Sequence, residues 1–303
     1  MTVFEQNRIA LIWDFDKTLT PRNMQTPLFN AFGVDQKSFW EEVNALPFAL
    51  EAQGHRVNHE IYYLNHILTC VRSGIFKGLN NAMLRNLGRE IQFFPGVLNF
   101  FKAIKTTVEQ DPKFSVFDIK VEHYIVSTGL TEMIKGSAVM DLVDDVWGCE
   151  FMEDRDGILS QIIFSMDNTT KTKAVFEINK GVNKHPGEIN VNSLIPENER
   201  RVPFRNMIYV ADGPSDIPAF SVVKRNGGQT FALYNPDDDL SFVQADNLRL
   251  DGRVHMYGPA DFRDGTLTSK WLKQQAVKIA ESIVDIKKSV LKKAGERIPV
   301  HTG

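Results

Sequence analysis

The chain has 303 residues, of which 24% are charged and 43% hydrophobic, and its formal net charge is -3 at pH 7. This length is enough to bury a large core and exceeds one typical domain, so we expect one main domain with a smaller module or insertion. The near balance of charge gives no general attraction to nucleic acid or to anionic membranes, so neither is expected as a partner.

Four short apolar runs predict the strands of a parallel sheet. They are IALIWDF (9–15), HYIVST (123–128), NMIYVAD (206–212) and TFALYN (230–235). Nearly continuous apolar strands that alternate with amphipathic helices are typical of a parallel sheet covered on both faces. The predicted fold class is therefore α/β, with a Rossmann-like parallel sheet and helices on both of its faces.

Residues 22–92 interrupt this alternation with several helical patterns in succession. Ile61, Leu64, Leu68 and Val71, for example, have the spacing of one helical face. Because the block directly follows the first strand, at the edge of the sheet where ligands bind, we predict an inserted α-helical cap domain. The alternative is that these helices only cover a face of the sheet.

Three later segments also have recognisable patterns. Asp156-Gly157 separates two strand-like runs within 150–164 and predicts a hairpin. The polar stretch 179–205 predicts a long, partly ordered surface loop. Residues 268–293 predict a long helix whose apolar face packs back on the main domain, with a dimer seam as the alternative. The predicted division is a core of residues 1–21 and 93–265, a helical cap of 22–92, and a C-terminal helix and tail of 266–303.

Signals for export and for disulfide formation are missing from the sequence. The start MTVFEQNR lacks the basic region and apolar run of a secretion signal, and no run of about 18 apolar residues occurs. The expected location is therefore the cytoplasm. Cys70 and Cys149 lie far apart without metal-ligand spacing, so we expect both to be reduced and buried.

Polar residues end the first three predicted strands, namely Asp14 and Asp16, Ser127 and Thr128, and Asp212. In open sheets of this kind, ligands bind outside the carboxyl ends of the strands. Several carboxylates on one edge repel one another unless a divalent cation lies among them, and oxygen ligands suit Mg²⁺, which also takes a substrate phosphate as a ligand. The strand-end hydroxyls, the following glycine and a lysine near position 171 would bind that phosphate.

Four motifs in this order resemble those of the haloacid dehalogenase (HAD) superfamily of phosphohydrolases. They are DFDKTLT, IVSTG, a lysine opening a helix in NTTKTKAVFEI, and VADGPSD, with the helical insertion between the first and second. The DxDxT form resembles the phosphatase branch of the superfamily, since its dehalogenases lack the second aspartate. The hairpin and the FFPG helix start are most similar to the phosphoserine-phosphatase-like subgroup, so a HAD-like core with an inserted cap is implied.

The resemblance also implies roles for individual residues. Asp14 would be the nucleophile that becomes an aspartyl-phosphate, and Asp16 the general acid and base. Mg²⁺ would be held by the Asp14 carboxylate, the Asp16 main-chain carbonyl and Asp212, with Asp216 supporting them. The implied phosphate-binding residues are Thr18, which also helps to place the nucleophile loop, Ser127, Thr128, Gly129 and Lys171.

Two lysines open the helix in NTTKTKAVFEI, and the spacing of apolar residues favours Lys171 over Lys173. Apolar residues lie three, four and seven positions after Lys171, which predicts that this lysine is on the face turned to the sheet. The same spacing from Lys173 gives a mostly polar face, so Lys173 is expected at the surface. Residues 168–170 offer caps for this helix.

The function predicted from these residues is that of a Mg²⁺-dependent phosphomonoesterase acting through an aspartyl-phosphate on a small phosphorylated metabolite. A phosphoprotein or nucleotide phosphatase with an open cap is an alternative. A non-catalytic binding protein with a relict site is another. The sequence leaves open whether the protein is a monomer or a homodimer.

Overall fold

The structure is a computed structural model that describes residues 4–185 and 187–295. Residues 296–303 of the predicted C-terminal tail therefore lie outside the described residues. No helix within the described ranges combines the length and the apolar composition that crossing a bilayer demands.

Within the described residues, seven strands form one sheet. They are β1 (Arg8–Trp13), β2 (Lys120–Leu130), β3 (Asp145–Glu153), β4 (Leu159–Phe164), β5 (Met207–Ala211), β6 (Gln229–Tyr234) and β7 (Met256–Pro259). Their order is β4-β3-β2-β1-β5-β6-β7, and each neighbouring pair is parallel except β3 and β4. The predicted α/β class is confirmed, and β7 is a strand that the sequence patterns did not reveal.

The helices of the described residues follow the alternation expected for this class, apart from the group between β1 and β2. They are α1 (Thr26–Phe32), α2 (Gln36–Glu51), α3 (Tyr62–Arg72), α4 (Asn81–Gly88), α5 (Val97–Glu109), α6 (Pro112–Ser115), α7 (Thr131–Gly136), α8 (Asn168–Lys180), α9 (Ile217–Arg225), α10 (Asp239–Leu250) and α11 (Leu267–Gly295).

Helices cover both faces of the sheet, as predicted. Trp13 at the end of β1 stacks on Phe101 of α5, with ring centroids 4.9 Å apart. Tyr209 of β5 contacts Phe220 of α9 at 5.4 Å and pairs in register with Ile12, so its side chain projects from the face opposite to Trp13. Burial from both sides explains why β1 is apolar from Ile9 to Trp13 rather than alternating.

The inserted helices α1–α4 leave and rejoin the sheet domain at almost the same point. Phe94 N donates a hydrogen bond to Leu19 O at 2.9 Å, so the two ends of the insertion lie together. Helix α4 packs on α7, and α3 packs near β4. Leu64 and Leu68 are buried, in agreement with the predicted face of α3.

Three predictions for the later part of the chain can be compared with the structure. The hairpin is present as β3 and β4, with Gly157 at a φ of 73° in its turn. The segment 179–205 is not only a surface loop, because Arg201 is buried in an ion pair with Glu122. A buried guanidinium requires such a partner, which anchors the segment to β2.

The C-terminal helix α11 packs on its own domain, against α5 and the sheet. Its buried face includes Leu272, Ala276 and Ile283, as the apolar spacing predicts. Ile286 and Val290 continue that spacing but are 42% and 61% exposed, and they line an open groove at the far end of the helix. Only the first turns of the predicted apolar face are therefore covered.

Candidate active site

The carboxylate of Asp14 is held at the end of the central strand β1. Its backbone N–H donates to Val210 O at 3.0 Å, which continues the pairing of β1 with β5. The side chain is buried, with Oδ1 accepting from Lys171 Nζ at 2.8 Å and Oδ2 from Thr18 Oγ1 at 3.3 Å. Asp14 is thus fixed by two donors, one of them a cation.

Lys171 reaches this carboxylate from the first turn of α8. The cap of α8 is Asp167, which forms a capping box with Thr170, so the cap lies one residue before the predicted range 168–170. A carboxylate satisfies the free N–H groups of the first turn and complements the positive end of the helix. The Lys171 side chain is 1% exposed, whereas Lys173 is 47% exposed and pairs with Glu177 at 3.5 Å.

Asp212 and Asp216 follow strand β5 and complete an acidic cluster. Asp212 Oδ1 accepts from Thr18 Oγ1 at 3.3 Å. Asp216 is fully buried, and its Oδ1 accepts from both Lys171 Nζ at 2.8 Å and Tyr209 Oη at 2.7 Å. Oxygen atoms from Asp14, Asp212 and Asp216 all lie within 4.8 Å of one another.

This cluster has more negative charge than its one lysine balances. Burial raises the pKa of Asp212 to about 8, and the nearby charges of Asp14 and Asp216 add to the shift. Burial also raises the pKa of Asp14, although Lys171 acts in the opposite direction. Burial alone would lower the pKa of Lys171, but the two neighbouring carboxylates outweigh it and raise that pKa, so the lysine stays charged. Three carboxylates around one ammonium fit the ligand chemistry of a divalent cation such as Mg²⁺.

Asp16 lies two positions after Asp14 and has a different environment. Its Oδ1 accepts a hydrogen bond from Met24 N at 2.7 Å. Burial raises its pKa to about 8, and the charge of Asp14 adds to this effect. A carboxyl group whose pKa is raised in this way suits general acid and base chemistry.

The segment with Ser127, Thr128 and Gly129 differs in part from its prediction. Strand β2 continues to Leu130 instead of ending at residue 128, with a register shift against β3 after Val126. Ser127 Oγ accepts from Gly129 N at 3.0 Å, so this N–H already has a partner. Thr128 and Gly129 line the cavity described below. A Cβ at Gly129 would lie 2.1 Å from the methyl carbon of Met24, so a larger residue there requires this flexible side chain to move.

A cavity of about 340 Å³ opens over these groups. Its lining includes Asp14, Asp16, Lys17, Asn23, Gln25, Trp40, Glu60, Tyr63, Thr128, Gly129, Asp212 and Gln244. The sequence patterns did not identify Gln25, Trp40, Glu60 or Tyr63, since helical periodicity marks buried faces and not the residues that face a ligand. The nearness of Gln25 to the DFDKTLT motif is the one signal that points to it.

Comparisons with known proteins agree with this architecture. An uncharacterized protein of Borreliella burgdorferi is 35% identical over 288 residues, which cover 89% of this chain and 97% of the relative. No protein-family model matches the chain. Among solved structures, a HAD family hydrolase from Salmonella enterica serovar Typhi has a TM-score of 0.52 at 15% identity, covering 84% of this chain and 68% of the other.

A second similar structure is the phospho-aspartyl intermediate analogue of phosphoserine phosphatase. Its TM-score is 0.50 at 15% identity, and the match covers 88% of this chain and 99% of the other. At these identities the similarity concerns the fold, and the two proteins share a similar arrangement of strands and helices with this chain.

Proposed function

We propose that the protein is a phosphatase that hydrolyses phosphoric monoesters. The chain belongs to one family with the uncharacterized Borreliella burgdorferi protein. It has the phosphoserine-phosphatase-like fold of the haloacid dehalogenase superfamily. One observation carries the proposal most directly. Asp14 is buried in contact with Lys171 and close to Asp212 and Asp216, while Asp16, whose pKa is raised by burial, lies two positions further on.

The proposed first step is attack by an Asp14 carboxylate oxygen on phosphorus. The ester P–O bond breaks as the new bond forms, which gives an aspartyl-phosphate and an alcohol. Asp16 donates its proton to the departing oxygen, consistent with a pKa raised to about 8. Lys171 stays cationic beside Asp14 and stabilises the negative charge on the phosphoryl oxygens.

The second step regenerates the enzyme. Asp16, now a carboxylate, takes a proton from water as the water oxygen attacks phosphorus. The bond to Asp14 breaks, inorganic phosphate leaves, and Asp14 returns to its ion pair with Lys171. Thr18, whose hydroxyl lies 3.3 Å from a carboxylate oxygen of Asp14 and of Asp212, keeps the nucleophile loop in place during both steps.

Mg²⁺ is the proposed cofactor of this site. Asp14, Asp212 and the main-chain carbonyl of Asp16 would hold it, with Asp216 supporting the arrangement through Lys171. When bound, the ion supplies neutralisation of the phosphate charge and orientation of the phosphoryl group.

We also propose that the inserted helices act as a cap over a small substrate. Three of the hydrogen bonds that link them to the sheet domain involve α3 and the segment just before it. They run from Tyr63 Oη to Thr128 O at 2.7 Å, from Asn58 Nδ2 to Asp167 Oδ2 at 2.9 Å, and from Asn168 N to Glu60 Oε2 at 2.7 Å. These contacts and the cavity of about 340 Å³ favour a small metabolite over a phosphoprotein.

Phosphate release from p-nitrophenyl phosphate, with and without Mg²⁺, tests the proposal. The Asp14→Asn variant is the matched control, because the amide keeps the shape of the side chain and lacks the nucleophilic charge. We expect this variant to lose more than tenfold in turnover, a barrier change above about 1.4 kcal/mol. A variant that keeps more than a tenth of the wild-type rate would exclude Asp14 as nucleophile, and an inactive wild type would favour a binding protein with a relict site.

A further inference from the structure

The insertion between β1 and β2 forms one wall of the active-site cavity, and this wall combines polar, acidic and aromatic side chains. It contributes the amide of Gln25, the carboxylate of Glu60 and the rings of Trp40 and Tyr63. The phosphate and metal ligands lie on the sheet domain, so this wall faces the alcohol portion of a bound ester. Its groups therefore determine which alcohols fit.

Gln25 is a buried polar side chain without a partner. It is 2% exposed, and its Oε1 accepts no hydrogen bond from any group in the described ranges. Buried amide oxygens are nearly always hydrogen-bonded in folded proteins. Because Gln25 also lines the cavity, a bound ligand is the candidate source of the missing donor.

Glu60, Trp40 and Tyr63 line the same side of the cavity as Gln25. Glu60 Oε2 accepts from Asn168 N at 2.7 Å, which orients the carboxylate and leaves Oε1 outside that bond. The rings of Trp40 and Tyr63 lie with centroids 5.9 Å apart at an interplanar angle of 45°. The bond from Tyr63 Oη to Thr128 O fixes one of these rings. A carboxylate beside tryptophan and tyrosine attracts a cation, both by charge and by the electron-rich ring faces.

Cationic side chains are scarce in the same cavity. Among the described residues that line it, Lys17 is the one lysine or arginine. Lys17 is exposed, and its charge acts on Asp16 and Asp212, against the rise in pKa that burial causes in both. Lys171 is already bonded to two carboxylates. Within the part of the chain that the structure describes, Lys17 is therefore the one cationic lining residue available to a substrate carboxylate, and Glu60 would repel that carboxylate.

We propose that the substrate is the phosphate ester of an amino alcohol, with an ammonium group held by Glu60 and Trp40, a donor for Gln25 Oε1, and no carboxylate. This inference rests on the proposed phosphatase function. Hydrolysis cleaves the ester bond of this compound with one water and releases the amino alcohol and inorganic phosphate. Tyr63 supports the ring arrangement, and Glu60 and Gln25 are the residues that determine specificity.

A panel of four phosphate esters separates the two features of the substrate. Phosphoethanolamine has an amine only, phosphoserine has an amine and a carboxylate, phosphoglycerate has a carboxylate only, and glycerol phosphate has neither. We expect kcat/KM for phosphoethanolamine to exceed that for glycerol phosphate at least tenfold and to exceed that for phosphoglycerate further. A preference for either carboxylate-bearing ester, or equal values across the panel, would overturn the inference.

Two variants test the named residues with the same panel. Glu60→Gln keeps an oxygen for Asn168 N and removes the charge, so the ratio of kcat/KM between phosphoethanolamine and glycerol phosphate is expected to fall about tenfold. Glu51→Gln is the control, because Glu51 pairs with His59 elsewhere, and its ratio should match wild type. An unchanged ratio in Glu60→Gln would remove Glu60 from the site.

Gln25→Met has a similar volume and lacks the amide. We expect it to raise KM for phosphoethanolamine about tenfold, with thermal unfolding used to check that the variant is folded. An unchanged KM would overturn the role of Gln25. Hydrolysis of p-nitrophenyl phosphate by the wild type separates the two levels of failure. If that ester is hydrolysed and the amine gives no advantage, only this inference fails; if nothing is hydrolysed, both fail.

Discussion

The ammonium of Lys171 lies 2.8 Å from Oδ1 of Asp14, although 157 positions separate the two residues in the chain. The contact exists because β1 is central in the sheet and the first turn of α8 opens at the same edge. Asp216 receives the second bond of the same ammonium at 2.8 Å. This lysine therefore joins the two acidic motifs, DFDKTLT and VADGPSD.

Replacing Lys171 by alanine is expected to lower kcat by a factor on the order of 10² to 10³, because the phosphoryl charge loses a buried cation. Lys173→Ala should have almost no effect, since that side chain is half exposed and pairs with Glu177. Steady-state kinetics on one substrate, with thermal unfolding as a check on folding, measures both. The reverse ranking would mean that the wrong lysine has been assigned to the phosphate.

Asp16→Asn should affect esters according to their leaving groups. The asparagine amide cannot donate a proton to the leaving oxygen. An alkoxide needs that proton to leave, whereas nitrophenolate is stable enough to leave without it. We therefore expect a larger loss of kcat on an alkyl phosphate than on p-nitrophenyl phosphate. Equal losses on the two substrates would remove Asp16 from the role of proton donor.

Removal of divalent cations with EDTA is expected to abolish phosphate release, and Mg²⁺ should restore it better than Ca²⁺, which accepts a looser geometry. Binding should also be visible without catalysis. Mg²⁺ at about 100 times its Kd should stabilise the folded protein by about 2.7 kcal/mol, measured as a rise in Tm. Asp212→Asn should reduce that rise, and full activity of metal-free protein would contradict the metal site.

His123 should make stability depend on pH. Trp13 Nε1 donates to its Nδ1 at 3.1 Å, and its Nε2 lies 3.1 Å from Phe101 O, an arrangement that suits a neutral ring. Burial, with a smaller effect from Lys105, lowers the pKa of His123 from 6.5 to about 3. The unfolded chain therefore binds the extra proton between these values, and stability is lost as pH falls from 6.5 towards 3.

Denaturant unfolding at pH 7 and pH 5.5 tests this effect. The expected difference from His123 is about 1 kcal/mol, since one pKa unit corresponds to about 1.4 kcal/mol. His123→Asn keeps an acceptor for Trp13 and does not titrate, so its stability should change less between the two conditions. An equal change in variant and wild type would show that another group causes the dependence.

Two leucines on α11 provide a matched test of how the C-terminal helix packs. Leu272 is fully buried and Leu291 is 65% exposed. Leu272→Ala should lower the free energy of unfolding by about 2–5 kcal/mol, as for other buried leucines. Leu291→Ala should change it by no more than about 0.5 kcal/mol. Similar effects of the two substitutions would contradict the packing of α11 against α5.

The fold, and the polar residues at the carboxyl ends of its central strands, could be predicted because both leave regular patterns in the sequence. Fully buried strands are apolar throughout, and Asp14 and Asp212 come directly after two of them. The apolar spacing after Lys171 likewise predicts its direction correctly, since one helical face must meet the sheet.

Other features depend on tertiary contacts that no local pattern records. One example is the hydrogen bond that Asp167, the cap of α8, accepts from Asn58 of the insertion. Arg201 is buried because Glu122 of a distant strand is there to pair with it. Gln25 and Trp40 line the cavity because of how the insertion packs on the sheet domain, which periodicity does not determine.

The single hydrogen bond between Phe94 and Leu19 has a consequence for how new specificities arise. Since the insertion begins and ends at one place, it is a loop whose closure entropy changes by only about 0.6 kcal/mol when its length doubles. Whole segments between these two residues can be exchanged or lengthened while the loop that carries Asp14 keeps its anchor on Val210. A change of length within the insertion therefore leaves the point where it joins the sheet domain unchanged.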